Sequence, residues 1–191
     1  TQRPLHRKAL DALARHVASA KSVALVTMLS VPFVFVAELL AVAVLFSLPV
    51  ELSIPPLILS IVVIEEVAKS LHIHAGYTHG RFASGASTAL GLGIASGAGF
   101  FLAEKGMLVV QFVGLASIEQ GRIAFGSPSG IPCVPTPVLL VLPLLLHVVT
   151  ASASALGARR GEGGYGMGLV LAIGIHALYN LSIIGVSGGG F

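Results

Sequence analysis

Tryptophan is absent from this 191-residue chain, cysteine occurs once, and charged residues make up only 10% of it. Each scarcity excludes something. The single cysteine, Cys133, can close no internal disulfide and build no cysteine metal cluster. Soluble domains carry about 25% charged residues. A chain with 55% hydrophobic residues and a mean hydropathy of +0.95 cannot hide that much apolar surface in one small core, so lipid has to solvate it. The lack of aromatics interleaved with basic residues argues against nucleic-acid binding. The length allows one compact bundle and no second domain.

The basic residues that are present cluster. Arg3, Arg7, Lys8, Arg15 and Lys21 all precede the first apolar run. Such a flank predicts a cytoplasmic N-terminus for an integral protein of the cytoplasmic membrane. The first run is too long for the apolar core of a signal peptide, and further spans follow it.

The expected architecture is all-α: a polytopic transmembrane bundle of five to six spans, preceded by an amphipathic helix. Residues 1–21 form that amphipathic cytoplasmic segment, with Leu5, Leu10, Leu13 and Val17 loosely on one side. Residues 22–187 form a single bundle. Span one covers 22–48, with Pro32 and Glu38 inside it. A proline-rich link, 49–56, leads to span two, which begins near Pro56 and reaches about His74. A polar link, 75–81, precedes span three at 82–104. Two rows of small residues, Ala89–Gly93–Gly97 and Gly91–Ala95–Gly99, mark that span as a close-packing helix. Segment 107–120 either crosses or re-enters, and 121–135 reads as a loop. Spans at about 136–157 and 165–186 complete the chain. Five crossings would put Arg159 and Arg160 on the N-terminal side; six would put them on the other.

An ionisable side chain at the centre of a span costs roughly 2.5–3.5 kcal/mol on insertion scales. Glu65, Glu66, Glu104, His147 and His176 incur this cost on four segments far apart in sequence. One shared polar site between helices explains all five at once. Adjacent helix residues point about 100° apart, so one of Glu65 and Glu66 should face the site and the other pair with Lys69 or a neighbouring helix. His176 and Asn180 share a helix face, as do His147 and Ala151, and Phe100 and Glu104.

These residues carry a resemblance. Glu65-Glu66-x-x-Lys69, Gly-x-Gly-Phe100-x-x-x-Glu104, His147-x-x-x-Ala151 and His176-x-x-x-Asn180 together resemble the PrsW family of intramembrane proteases, relatives of the CAAX prenyl proteases and bacteriocin-processing immunity proteins. The likeness spans about residues 56–186. It implies a membrane-embedded peptidase acting on membrane-anchored protein or peptide substrates such as anti-sigma factors. It also implies Glu65 and Glu66 as the catalytic glutamate pair, with Glu104, His147 and His176 as further site residues and Asn180 beside the last. Glutamate at 104, where CAAX proteases carry histidine, and the absence of arginine after the glutamate pair favour the PrsW branch. Lys105 stands where that family commonly has asparagine.

Two histidines and a carboxylate form a common catalytic zinc set with water in the open position. The expected ligands of a Zn2+ cofactor are therefore Glu104, His147 and His176. One of Glu65 and Glu66 is then the general base, and Asn180 donates to the oxyanion. A metal-free version uses the same residues, with a glutamate and a histidine activating water. Plainer readings exist for each: a structural ion pair of the glutamates with Lys69, an interfacial Glu104 paired with Lys105, and neutral histidines and Asn180 as interhelical glue. Glu38 belongs to no motif. His72, His74 and His79 read as solvated residues at a helix end, and Glu119 as interfacial. Ser152 and Ser154 beside His147 offer a weaker serine–histidine alternative. The main rival function is a proton- or ion-coupled transporter or channel built from the same acids and histidines. A peptidase needs these groups within a few ångströms of one another; a relay strings them along a path.

Overall fold

The structure, a computed structural model, describes residues 5–45, 47, 50–114 and 136–187. The described residues form five α-helices and no strand: α1 (Leu5–Leu45), α2 (Val50–Thr78), α3 (Ala86–Gly114), α4 (Thr136–Ala158) and α5 (Glu162–Ser187). Four of these contain stretches long and apolar enough to cross a membrane: Arg15–Leu45, Ala86–Leu108, Leu140–Ala158 and Glu162–Ile183. The remaining helix, α2, has 29 residues and so extends about 44 Å, also longer than a hydrocarbon core. Its middle carries Glu65, Glu66 and Lys69.

The helix boundaries differ from the sequence expectation in instructive ways. α1 runs unbroken across residues 21 and 22, so the amphipathic segment and the first span are one helix. No glycine or proline occurs between Leu5 and Val31 to interrupt it, and Pro32 stays within it. α2 begins at Val50 and absorbs Pro55 and Pro56 of the expected link; proline fixes φ near a helical value, and its cost here is the absent N–H. α3 continues to Gly114, so residues 107–114 extend span three. Residues 115–135, with Glu119, Cys133 and the expected loop, lie outside the described residues.

Two turns are set by glycines in the left-handed region. Gly80 (φ 64°) closes α2 with a pair of bonds, Gly80 N–H to Tyr77 O at 3.0 Å and Arg81 N–H to Gly76 O at 2.8 Å, the pattern of a Schellman cap. Gly161 (φ 92°) joins α4 to α5.

Each helix packs on two neighbours in the cyclic order α1, α3, α4, α5, α2, and α2 also reaches across to α3 and α4. The two small-residue rows of α3 serve different partners. A Cβ at Gly93 would overlap the Ser152 backbone and one at Gly97 the His147 carbonyl, both on α4. A Cβ at Gly99 would come within 2.9 Å of Ala24 O on α1. Close approach at Gly97 is what brings His147 to the centre.

The polarity of the molecule is inverted relative to a soluble domain. Phe33 is 77% and Met167 75% exposed, whereas Glu66 and Lys69 are 0% exposed. Large apolar side chains outside and paired charges inside suit a lipid environment. Packing of His16 against Gly91, and a bond from Arg159 Nη1 to Ser84 O at 3.5 Å, gather Arg15, Arg81 and Arg159 at one end of the bundle.

Candidate active site within the helix bundle

α2 places Glu66 and Lys69 one turn apart on its inward face. Lys69 Nζ donates to Glu66 Oε1 at 2.5 Å and to His147 Nδ1 at 2.9 Å. An ammonium only donates, so His147 Nδ1 accepts. The proton of His147 then sits on Nε2, which donates to Glu104 Oε2 at 3.1 Å. Glu104 Oε1 accepts from Lys105 Nζ at 2.7 Å. On the other side, His176 Nδ1 donates to Glu66 Oε1 at 2.7 Å, which turns its Nε2 toward Glu65 Oε2, 3.7 Å away. The His147 and His176 rings meet edge to face with 5.4 Å between centroids. The Phe100 ring lies under the ammonium at 4.9 Å, a cation–π contact in a desolvated setting.

The glutamate pair divides as adjacent helical positions must. Glu66 is sealed into the network, while Glu65 lines a cavity of about 160 Å³ together with Glu104, His147, His176, Tyr179 and Asn180. Glu65 Oε2 is buried and has no hydrogen-bond partner. A second cavity of about 120 Å³ lies on the α1 side; Glu65 and Glu104 line it too, with Glu38 and the apolar Val34, Phe100 and Met107. The structure thus brings all five expected residues, Glu65, Glu66, Glu104, His147 and His176, to one place, with Asn180 at the rim.

The group able to hold a metal ion differs from the expected one. Among the described residues, Glu65, His147 and His176 each bring one ligand atom within 4.8 Å of the others. Glu104 had been expected as the carboxylate. It is engaged instead between His147 and Lys105, and Glu65 has the open oxygen. Donor number and type fit a divalent cation. The hydrogen bonding of His147 does not: with Nδ1 accepting from Lys69 and Nε2 donating to Glu104, it has no lone pair to offer until one of those bonds is exchanged.

Sequence reasoning left Glu38 without a role. Its carboxyl lines the same cavity as Glu65 and Glu104, and its Oε1 is buried without a partner. Two carboxyls facing one apolar cavity repel each other when both are ionised. The only sequence signal was an acid in an otherwise apolar span. A set of hydroxyls that fixes α2 was also missed. Ser96 Oγ donates to Lys69 O at 2.6 Å and meets Thr27 Oγ1 at 2.9 Å, while Ser70 Oγ meets Tyr165 OH at 3.0 Å.

The other candidates fall elsewhere. His72 Nε2 meets Thr27 Oγ1 at 3.1 Å, His74 stacks on Tyr165 with centroids 4.1 Å apart, and His79 Nδ1 bonds Ala75 O at 2.8 Å; the three have separate partners. Ser152 and Ser154 are buried with unpartnered hydroxyls, at the points where Gly93 and Gly168 press on α4.

No family model, curated protein or solved structure matches the chain in comparisons with known proteins.

Proposed function

We propose that the chain is an intramembrane peptidase that hydrolyses membrane-anchored protein segments. The observation that carries this reading is the convergence of Glu65, Glu66, His147 and His176, from α2, α4 and α5, beside a cavity large enough for water and a peptide carbonyl. The motif resemblance to the PrsW family points the same way. Glu65, with its unpartnered oxygen, is the general base toward water. His176, held by Glu66 through Nδ1, keeps Nε2 free to carry the proton to the leaving amine. Asn180 at the cavity rim donates to the developing oxyanion. Lys69 and Glu66 hold the two imidazoles in place. The transporter reading is less well supported. The string Lys105–Glu104–His147–Lys69–Glu66–His176–Glu65 curls back, and Glu104 and Glu65 open on the same two cavities; a relay across the membrane needs ends on opposite sides.

A second reading has its own observation, the spacing of Glu65, His147 and His176. Zinc is the ion such a set takes, and it would supply Lewis acidity and an acidified water. His147 would first have to exchange one of its present bonds. The basic end, with Arg15, Arg81 and Arg159, is the cytoplasmic end under the positive-inside rule, which puts the N-terminus in the cytoplasm of a cell-membrane protein.

The test is cleavage of a panel of single-span reporter proteins in proteoliposomes, read by mass spectrometry. The parent chain is expected to cut, and Glu65→Gln and His176→Ala to lose at least a hundredfold in rate, the usual scale of an acid–base residue, with helicity and elution unchanged. Equal cleavage by parent and variants would sink the assignment. In the same assay, activity that survives a chelator, with no metal by elemental analysis, selects the metal-free form; loss restored by zinc selects the other.

A further inference from the structure

A separate cavity lies away from the acid–histidine network, at the basic end of the bundle. It measures about 720 Å³ and is walled by Arg15, His16 and Ser19 of α1, by Arg81 and Phe82 after α2, and by Thr88 in the first turn of α3. Clefts of roughly 300–1,000 Å³ are the size that holds small ligands. We infer that it binds the phosphate of an anionic lipid headgroup. This inference is independent of the peptidase reading.

Four observations carry it. First, among the described residues the wall holds two guanidiniums and an imidazole and no acid; guanidinium matches phosphate geometry with paired donors. Second, these groups are placed by the fold. Arg81 follows the glycine that caps α2, and its own N–H is tied to Gly76 O at 2.8 Å. His16 lies so close over Gly91 that a Cβ there would come within 2.7 Å of its Nε2. Third, the first backbone bond of α3 runs from Ala89 N–H to Gly85 O at 3.1 Å. The N–H groups of Ala86, Ser87 and Thr88 therefore lack helical acceptors, and Gly85 has no side chain to cap them. Such a helix start attracts phosphate, and Thr88 of that turn forms part of the wall. Fourth, Arg15 lies on α1 before the apolar run that follows Lys21, and Thr88 lies in the first turn of α3, which starts at Ala86, so the cavity sits at the polar end of both helices, where a bilayer presents its headgroups. Phe82, Ala18 and Ala83 supply an apolar side to the same wall, suited to the glycerol and first methylenes of a lipid.

The experiment is native mass spectrometry of the full chain in detergent, titrated separately with phosphatidylglycerol and phosphatidylcholine, and with inorganic phosphate as competitor. Phosphatidylglycerol is expected to be retained in preference to phosphatidylcholine. Arg15→Gln and Arg81→Gln should each weaken that retention about tenfold, the scale of one lost charge-assisted hydrogen bond, and Arg81→Lys should restore part of it. The pair Lys21→Gln and Arg160→Gln removes the same charge outside the cavity and is expected to change retention less than twofold. Both variants lie at exposed positions, and unchanged helicity serves as the folding control. Equal losses for the two pairs would reduce the effect to general surface charge and overturn the inference, as would equal retention of phosphatidylcholine. Displacement of the lipid by inorganic phosphate at equal concentration would assign the cavity to a free anion and overturn the lipid assignment.

Discussion

Lys69 is the residue on which the interior charge balance turns, and its removal is a quantitative test. Its ammonium is fully buried, lies 2.5 Å from Glu66 Oε1 and 3.9 Å from Glu65 Oε2, and donates to His147 Nδ1 at 2.9 Å. Lys69→Met keeps most of the side-chain volume and removes the charge. Glu66 would be left as a buried carboxylate whose Oε2 already has no partner, with only His176 to neutralise it. Breaking one side of a buried pair costs about 3–5 kcal/mol. In a chain of 191 residues, at roughly 2–4 °C per kcal/mol, that lowers Tm by about 6–20 °C. Glu66→Gln combined with Lys69→Met removes both charges, so the double variant should recover at least about 2 kcal/mol of the single loss, because no unpaired charge remains. Thermal unfolding in detergent, followed by far-ultraviolet circular dichroism, measures all four corners of the cycle. A Lys69→Met variant within about 1 kcal/mol of the parent, or a double variant as unstable as the sum of the singles, would refute the pairing argument.

Three further outcomes follow from the same geometry. Gly97→Leu forces side-chain volume against the His147 carbonyl and should cost about 1–3 kcal/mol or more in stability together with peptidase activity; Gly106→Leu, on the same helix but facing open space, should leave the melting temperature unchanged. In the metal-free form, Glu38→Gln, which keeps a polar group in the cavity shared with Glu65, should retain most of the cleavage rate, whereas Glu38→Leu should lower it about a hundredfold, the low end of the range for proton-transfer partners; reporter cleavage in proteoliposomes reads both. Tyr165→Phe removes the hydroxyl that meets Ser70 Oγ at 3.0 Å and should cost about 1 kcal/mol, read as a small fall in melting temperature with cleavage intact.

The helical, lipid-facing character of the chain was legible because lipid imposes long apolar runs, and the small-residue rows of α3 were legible because backbone contact tolerates nothing larger. The rows did not say which partner each would meet. Gly93 and Gly97 face α4 while Gly99 faces α1, a choice made by tertiary packing. Helix ends were less readable. The α1 boundary expected at residue 22 rested on a change of polarity, and polarity does not end a helix that has no breaker. Convergence of the five ionisable residues followed from the energetic cost of scattering them. Their individual roles did not: whether Glu65 or Glu104 presents the open oxygen depends on the rotation of α2 and on Lys105 reaching back to Glu104. Glu38 was unreadable, since an acid in a span has no meaning until its neighbour across the helix interface is known.

The charge count of the interior explains why the two forms of the proposed chemistry are so close. Glu38, Glu65, Glu66 and Glu104 bring four carboxyls to the site, against the two ammoniums of Lys69 and Lys105. Glu66 with Lys69 and Glu104 with Lys105 form neutral pairs, so Glu38 and Glu65 remain. In the metal-free form of the proposal, a proton shared between those two would leave one negative charge, and that charge would serve as the base toward water. A divalent cation at Glu65, His147 and His176 would neutralise the same surplus by another route, and it would remove the need for the shared proton. The two routes therefore make opposite demands on Glu38. With a shared proton, Glu38→Leu weakens catalysis and a chelator does nothing. With a metal, Glu38→Leu is tolerated and a chelator abolishes cleavage. Measuring both on one preparation separates them, because each result on its own has a counterpart that the other mechanism forbids.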